Sequence, residues 1–328
     1  MVSAPELASQ LRLATAEDVS ACYANFLGRP PEDRATIAHH LEGQPTVWEV
    51  IRRFHDSAEA TRRRTSLACI KIDTEQNGRD CEVFAAPEDL ARLTDHIREV
   101  WSRYGREEAY YSVLTNPKYL SETLGTADIE EFYGTGKLEV AGFETALLRN
   151  GIALDADWTV LEFGCGVGRI AEPFAQRCAA YVGVDISAGH LALGRARLGE
   201  RAVDNATLIP LADFLSTPPP YDVFFSVIVL QHNPPPIIHQ LLDHALACLE
   251  PGGLAYFQVP CHLYDYSFSV DRYLAGEGRH EGMEMHALPQ RHIFALFARH
   301  GLTPIEVTPN GRIGDIGFSY GFLARKAG

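Results

Sequence analysis

Three glycines at alternate positions, Gly164, Gly166 and Gly168, separate an apolar run ending in an acid from a helical pattern that begins near Arg169. The stretch reads Val160-Leu161-Glu162-Phe163-Gly164-Cys165-Gly166-Val167-Gly168-Arg169. Glycine takes backbone angles that a Cβ forbids and lets a ligand come within contact distance. A helix starting just beyond aims its free N–H groups and positive dipole end at the same spot. The combination suits a nucleoside-containing ligand, and the spacing narrows the choice. A dinucleotide fingerprint, GxGxxG, needs its third glycine at position 169, which is Arg; here the third glycine comes one residue early, which argues against NAD. Cys165 fits such a turn by being small.

Further acids follow in order. Ala180-Tyr181-Val182-Gly183-Val184-Asp185 is a second buried run ending in an acid, spaced like the acid that accepts ribose hydroxyls in nucleotide folds. Its alternative is a helix N-cap, as for Ser187. Leu208–Phe214 reads as a third short strand with Asp213 near its end, and Asp213 is otherwise an ordinary loop residue. Tyr221–Leu230 is too apolar for an exposed strand and suits the centre of a parallel sheet. Gln231-His232 follows it, at the face where such sheets bind ligands. Helical spacing from Ile237 to Leu249 stops at Pro251-Gly252-Gly253, before the strand Leu254–Val259. Pro289 opens a last helix that closes at Gly301, and strand-like runs lie near 304–308 and 317–324.

With Glu162 ahead of the glycines the loop reads ExGxGxG and resembles motif I of the class I S-adenosylmethionine-dependent methyltransferases. The ordered acids and "LxPGG" before the fifth strand extend that resemblance over residues 150–328. It implies an α/β, Rossmann-like seven-stranded sheet and S-adenosylmethionine as cofactor. The binding set it implies is Glu162, Gly164, Cys165, Gly166, Gly168, Asp185, Ile186, Asp213, Phe214 and Ser226, with Asp185 on the ribose and Asp213 towards the adenine amino group. In related methyltransferases an N-terminal aromatic segment closes over the cofactor, a part that falls here to Tyr110, Tyr111 and Tyr133; packing between helices is the alternative.

Methyl transfer is an in-line displacement, so positioning dominates, while a base must still take the proton of an alcohol nucleophile. Histidine titrates nearest neutrality. His232, just past the fourth strand, is the first candidate, with a capping or loop-bonding role as its alternative; His262 after the fifth strand and His286 before the last helix border the expected acceptor pocket. Tyr264, Tyr266, Tyr273 and the glycines at 276, 278 and 282 suggest an aromatic-lined lid. Asn233-Pro234-Pro235-Pro236 is not the (N/D/S)PP(Y/F) motif of amine methyltransferases: it comes too late after Asp222 and lacks the aromatic. Proline in the first turn of the next helix explains it.

The 328 residues are 46% apolar, ample for a core, and carry a net charge of −14. Arg62-Arg63-Arg64 is the only dense basic cluster, so a nucleic-acid groove is not expected. Seven cysteines without paired spacing point to reduced thiols, and no CxxC or HxxxH pairing marks a zinc site. No apolar run is long enough to span a membrane and no signal-peptide layout opens the chain, so a cytoplasmic location is expected.

Residues 1–65 read as a helical module. Val19, Cys22, Tyr23, Phe26 and Leu27 form one stripe, and Thr46-x-x-Glu49 is a capping box leading Val50, Ile51 and Phe54. "YANFLGRPPEDRATIAHHL…VIRRFHDSAEA" resembles the phycobilisome-linker-like module appended to bacterial glycan-modifying enzymes, which implies a docking or homo-oligomerising unit, or simple packing. Residues 66–149 read as a connector: a strand pair, "ACIKID" and "CEVFAA", then a bridging amphipathic helix from Pro87 with Leu90, Leu93, Ile97, Val100, Trp101 and Tyr104 on one face, then the aromatic segment. The expectation is O-methylation of a sugar, glycan precursor or related small molecule. The alternatives are a small-metabolite N-methyltransferase, a catalytically silent cofactor-binding scaffold and, weakest, an NAD enzyme.

Overall fold

The structure is a computed structural model that describes residues 12–27, 29–60, 81–279 and 282–328. Arg62-Arg63-Arg64, "ACIKID" and the turn after it lie outside the described residues. The chain divides into two compact units, residues 1–77 and 78–328.

The first unit is helical: α1 (Ala16–Cys22), continued by a π-helical turn (Tyr23–Leu27), α2 (Arg34–Leu41) and α3 (Val47–Asp56). Capping boxes open α1 and α3, in which Thr15 pairs with Asp18 and Thr46 with Glu49. Val19, Cys22, Tyr23, Val50 and Phe54 form the core, with Ile37 and Leu41 packed against it.

The first described residue of the second unit, Cys81, makes one parallel bridge to Phe268; the rest of "CEVFAA" is not strand. Helix α4 (Pro87–Glu107) starts at a proline in its first turn and buries Leu93 and Ile97 in this unit's own core, so it belongs here rather than to a connector. Helix α5 (Thr126–Arg149) follows, burying Phe132, Tyr133, Val140, Phe143 and Leu147. The sheet comprises β1 (Thr159–Phe163), β2 (Ala180–Asp185), β3 (Ala206–Pro210), β4 (Val223–Ser226), β5 (Leu254–Leu263), β6 (Leu302–Asn310) and β7 (Gly317–Lys326). Their spatial order is β3-β2-β1-β4-β5-β7-β6; the first five are parallel and β7 runs antiparallel to both neighbours. Helices α6 (Ala171–Ala175), α7 (Ala188–Glu200), α8 (Leu211–Ser216), α9 (Pro235–Cys248), α10 (Val270–Leu274) and α11 (Gln290–Arg299) complete it. Two clusters, built around Phe224, Phe257 and Phe322 and around Phe143, Phe174 and Phe225, fill the two faces of the sheet. The chain order reverses between β1 and β4, and an open α/β sheet binds ligands beyond the strand ends at that point.

Three local expectations differ from what is seen. The apolar run 221–230 is strand only over Val223–Ser226, because Ile228 takes φ +61° and turns the chain out of the sheet. A left-handed β-branched residue is a steric outlier of the kind that gathers at functional sites. Leu211–Phe214 are not strand but the start of α8. The helix after the glycine loop begins at Ala171 and lasts one turn and a half, too little to supply much dipole.

Candidate functional site

The glycine loop leaves β1 and is tied to β2: the amides of Gly164 and Cys165 both donate to the Val184 carbonyl, at 2.8 and 3.0 Å. Gly164, Gly166 and Gly168 all take positive φ, +79°, +53° and +74°. Gly164 and Gly166 also need the missing side chain: a Cβ would fall 2.3 Å from Val229 Cγ1 at Gly164 and 2.7 Å from Val113 Cγ2 at Gly166. At Gly168 the nearest atom would be 3.6 Å away, so only its conformation calls for glycine. Cys165 is buried and burial raises its thiol, so it fills space beside Gly183 as a neutral group.

Asp185 ends β2 with its carboxylate in the turn. Oδ2 accepts from the Gly166 amide at 2.9 Å and Oδ1 from the Ser187 amide at 2.8 Å. Ser187, not Asp185, caps α7, accepting from the His190 amide. Each carboxylate oxygen keeps a lone pair for a ligand. Glu162 is buried, takes a hydrogen bond from the Tyr181 hydroxyl, and is pushed up to about 8 by desolvation.

These groups line a crevice of about 1060 Å³, including the open space at its mouth. Glu162, Gly164, Cys165, Gly166, Asp185, Ile186 and His232 lie on its wall. Thr94, Ile97 and Trp101 of α4 cross it, Ser112 and Val113 cover the glycine loop, and Leu211, Leu215, Ile237 and Leu241 supply an apolar side. The Trp101 ring lies 5.5 Å from that of His232 and 6.4 Å from that of His190.

The other sequence-selected residues lie off this wall. Asp213 is exposed on α8, whose inward positions are Leu211 and Leu215. Phe214 is wholly buried against the His244 ring, and Ser226 donates to the Phe163 carbonyl, joining β4 to β1. The Tyr133 hydroxyl donates to the Val167 carbonyl, under the Arg197 guanidinium. Tyr110 and Tyr111 join Tyr133 and Phe132 in an aromatic cluster around Val167, which packs on the glycine loop without lining the crevice. His262 lies between Tyr264, met edge-on at 5.7 Å, and Phe318, tilted by 32° at 5.8 Å. His286 bonds the Tyr266 hydroxyl through Nδ1 and Glu284 through Nε2. Tyr266 and Tyr273 are held in that network, Tyr273 donating to Glu284 at 2.5 Å, and neither lines the crevice.

His232 is the histidine of the three on the crevice, and its protonation follows from the bonds around it. The Ile228 amide donates to Gln258 Oε1 at 2.9 Å, so Gln258 Nε2 donates onward to Gln231 Oε1 at 3.0 Å and to Ser319. Gln231 must then turn its amide nitrogen to His232 Nε2, 3.4 Å away, which makes Nε2 the acceptor. The other side agrees: Nδ1 lies 2.8 Å from the Glu284 carbonyl, which can only accept. The proton sits on Nδ1 and a lone pair on Nε2. Burial pushes this imidazole down to about 4, with His286 adding to the effect and the Glu284 bond opposing it. Sequence reasoning missed Gln258, Ser112 and His190, and placed Gln231 at the ligand face without giving it a part. It saw Ile97 and Trp101 only as a helical stripe, because no local pattern says which cleft a stripe will cover.

Among the described residues no cluster of side chains suits a metal ion, and no helix is long and apolar enough to cross a membrane.

Residues 160–253 match the family model described as "Methyltransferase domain". Trans-aconitate 2-methyltransferase of Methylobacterium nodulans is 35% identical over 38% of this chain and 47% of its own length. A ubiquinone biosynthesis O-methyltransferase of Paramagnetospirillum magneticum is 26% identical over 52% of this chain and 61% of its own. The chain thus spans about half the length of the curated relatives it matches. Among solved structures, magnesium protoporphyrin IX methyltransferase from Synechocystis PCC 6803 with bound SAH shares the fold at a TM-score of 0.51 and 16% identity, over 71% of this chain and all of that one. Residues 160–253 thus match a methyltransferase domain, and the seven-stranded Rossmann-like sheet that holds them is the fold shared with that solved structure.

Proposed function

We propose that the chain is an S-adenosylmethionine-dependent methyltransferase acting on a hydroxyl of a small acceptor, with His232 as general base. The observation that carries the choice of hydroxyl is His232 Nε2, an acceptor nitrogen on the crevice wall whose contact from the Gln231 amide, at 3.4 Å, is long enough for an incoming hydroxyl to displace: a carboxylate acceptor has no proton to lose, whereas an alcohol or phenol does.

The residues present fit the cofactor. Gly164 and Gly166 leave a cradle that side chains would fill, and Asp185 offers free lone pairs beside it. S-adenosylmethionine supplies an electrophilic methyl on a sulfonium sulfur. The chain's own part is to place and to accept: α4 and Val113 cover the crevice against water, Trp101 offers a flat face beside His232, and His232 Nε2 takes the acceptor's proton. Its tautomer is set from one side by the Ile228–Gln258–Gln231 relay and from the other by Glu284. Orienting the partners is worth roughly 7–11 kcal/mol, and a base held down to about 4 contributes at the low end of the roughly 10²–10⁴-fold that general bases supply.

For the acceptor, the likeness of the N-terminal module to those on glycan-modifying enzymes supports a sugar or glycan precursor. The apolar wall of Ile97, Leu211, Leu215, Ile237 and Leu241 favours a second reading, an acceptor with a ring or chain that buries apolar surface, in line with a relative named for ubiquinone biosynthesis. A cytoplasmic location and self-association through residues 1–65 belong to the same proposal.

Calorimetric titration with S-adenosylmethionine, S-adenosylhomocysteine and NAD tests the cofactor, and we expect binding of the first two only. Asp185→Ala should weaken them at least about tenfold, the scale of one charge-assisted hydrogen bond. Release of S-adenosylhomocysteine with sugar, phenol and amine panels then ranks acceptors. Turnover with amines alone would overturn the hydroxyl reading, and binding without turnover on any panel would favour a silent scaffold.

A further inference from the structure

One buried nitrogen on the crevice wall makes no hydrogen bond. His190 is 1% exposed, lies on the first turn of α7, and its Nδ1 makes no hydrogen bond. Its other nitrogen is accounted for. Ser112 Oγ stands 2.9 Å from His190 Nε2 and 3.0 Å from the Ala109 carbonyl. A carbonyl only accepts, so the single hydroxyl proton of Ser112 goes to Ala109, and Ser112 can only accept from His190. Nε2 therefore carries a hydrogen, and in the neutral ring Nδ1 presents a lone pair.

That lone pair faces another acceptor. Nδ1 lies 3.7 Å from Asp185 Oδ1, and both residues line the crevice. The buried Nδ1 is costly to leave unpaired, and Oδ1, which accepts from the Ser187 amide, keeps a second lone pair beside it. They are satisfied together by two O–H donors on neighbouring atoms, which is what a vicinal diol brings. The cradle of Gly166 adjoins, since its amide is held by the same Asp185 carboxylate.

We propose that His190 is a second ribose-binding residue, accepting one hydroxyl of the nucleoside through Nδ1 while Asp185 accepts the other. This rests on reading the crevice as an S-adenosylmethionine site. Ser112 fixes the tautomer that makes His190 an acceptor, so the covering segment takes part in reading the sugar. The ring is held in register because α4 meets α7 closely here: a Cβ on Gly105 would fall 2.1 Å from Ser187 Oγ and 3.1 Å from the His190 amide nitrogen.

The test is calorimetric binding of S-adenosylhomocysteine and of its 2′-deoxy and 3′-deoxy counterparts to the parent protein and to His190→Phe, His190→Asn and Ser112→Ala. His190→Phe should weaken the natural ligand about three- to tenfold, the value of one hydrogen bond, and leave one of the two deoxy ligands unaffected. His190→Asn keeps an acceptor near the place of Nδ1 and should retain most of the affinity. Ser112→Ala frees the tautomer and should show a smaller loss of the same selectivity, which keeps the test available if the Phe variant does not fold. Equal losses for all three ligands would overturn the proposal, since a structural, ion-pairing or water-holding role for His190 does not distinguish them. Failure of the parent to bind any of the three would overturn the cofactor reading itself, and this with it.

Discussion

His232 should be neutral, with its proton on Nδ1, down to a pH at which an ordinary histidine is almost wholly charged. The imidazole is pushed from 6.5 down to about 4, first by burial. At pH 5.5 a group titrating near 4 is about 3% protonated, whereas one at 6.5 is about 90% protonated. Because the folded value is the lower one, the unfolded chain takes up this proton first as pH falls. Stability from the neutral ring is complete above about 6.5 and drains away down to about 4, a loss on the order of 3 kcal/mol for this group. Protein labelled with ¹⁵N-histidine, compared with His232→Gln to assign the ring, reports both quantities without an acceptor. The two nitrogen shifts should show hydrogen on Nδ1 and a lone pair on Nε2, unchanged from pH 8 to 5. A ring that titrates near 6.5, or that carries its hydrogen on Nε2, would refute both the relay through Gln258 and Gln231 and the base assigned to it.

Two further outcomes follow from local geometry. Gly168→Ala should cost about 1–2 kcal/mol in denaturant unfolding, the charge for a left-handed alanine, with cofactor binding nearly intact; Gly166→Ala should cost more and weaken binding as well, since its Cβ meets Val113, and equal effects would deny that contact a role. Burial pushes Glu162 up to about 8, so the folded chain holds a proton between about 4.5 and 8 that the unfolded chain has released, and stability falls as pH climbs through that window. Glu162→Gln should therefore match the parent in melting temperature near pH 4 and exceed it at pH 8, and parallel curves would count against a protonated Glu162.

The parallel core was legible because buried strands are continuous apolar runs and their ends are punctuated: Glu162 and the glycines after β1, Asp185 after β2, Pro251-Gly252-Gly253 before β5. The glycine loop was legible for a related reason, since alternate left-handed positions admit few other residues. Boundaries were less so. Apolar character alone does not say that the run ending at Leu230 leaves the sheet after Ser226, nor that Leu211 starts a helix.

By itself, then, the order of residues determined the sheet, the cradle and the carboxylate beside it, because each is written within a few neighbouring positions. Only the tertiary structure decided which of three histidines faces the crevice, that the Tyr133 hydroxyl holds the loop at the Val167 carbonyl, and that Ser112 meets His190 across 78 positions. Such facts depend on hydrogen bonds between segments distant in the chain. The tautomer of His232 is the plainest case: it is settled by an amide at Ile228, two glutamines and a carbonyl at Glu284, groups whose meeting no local pattern records.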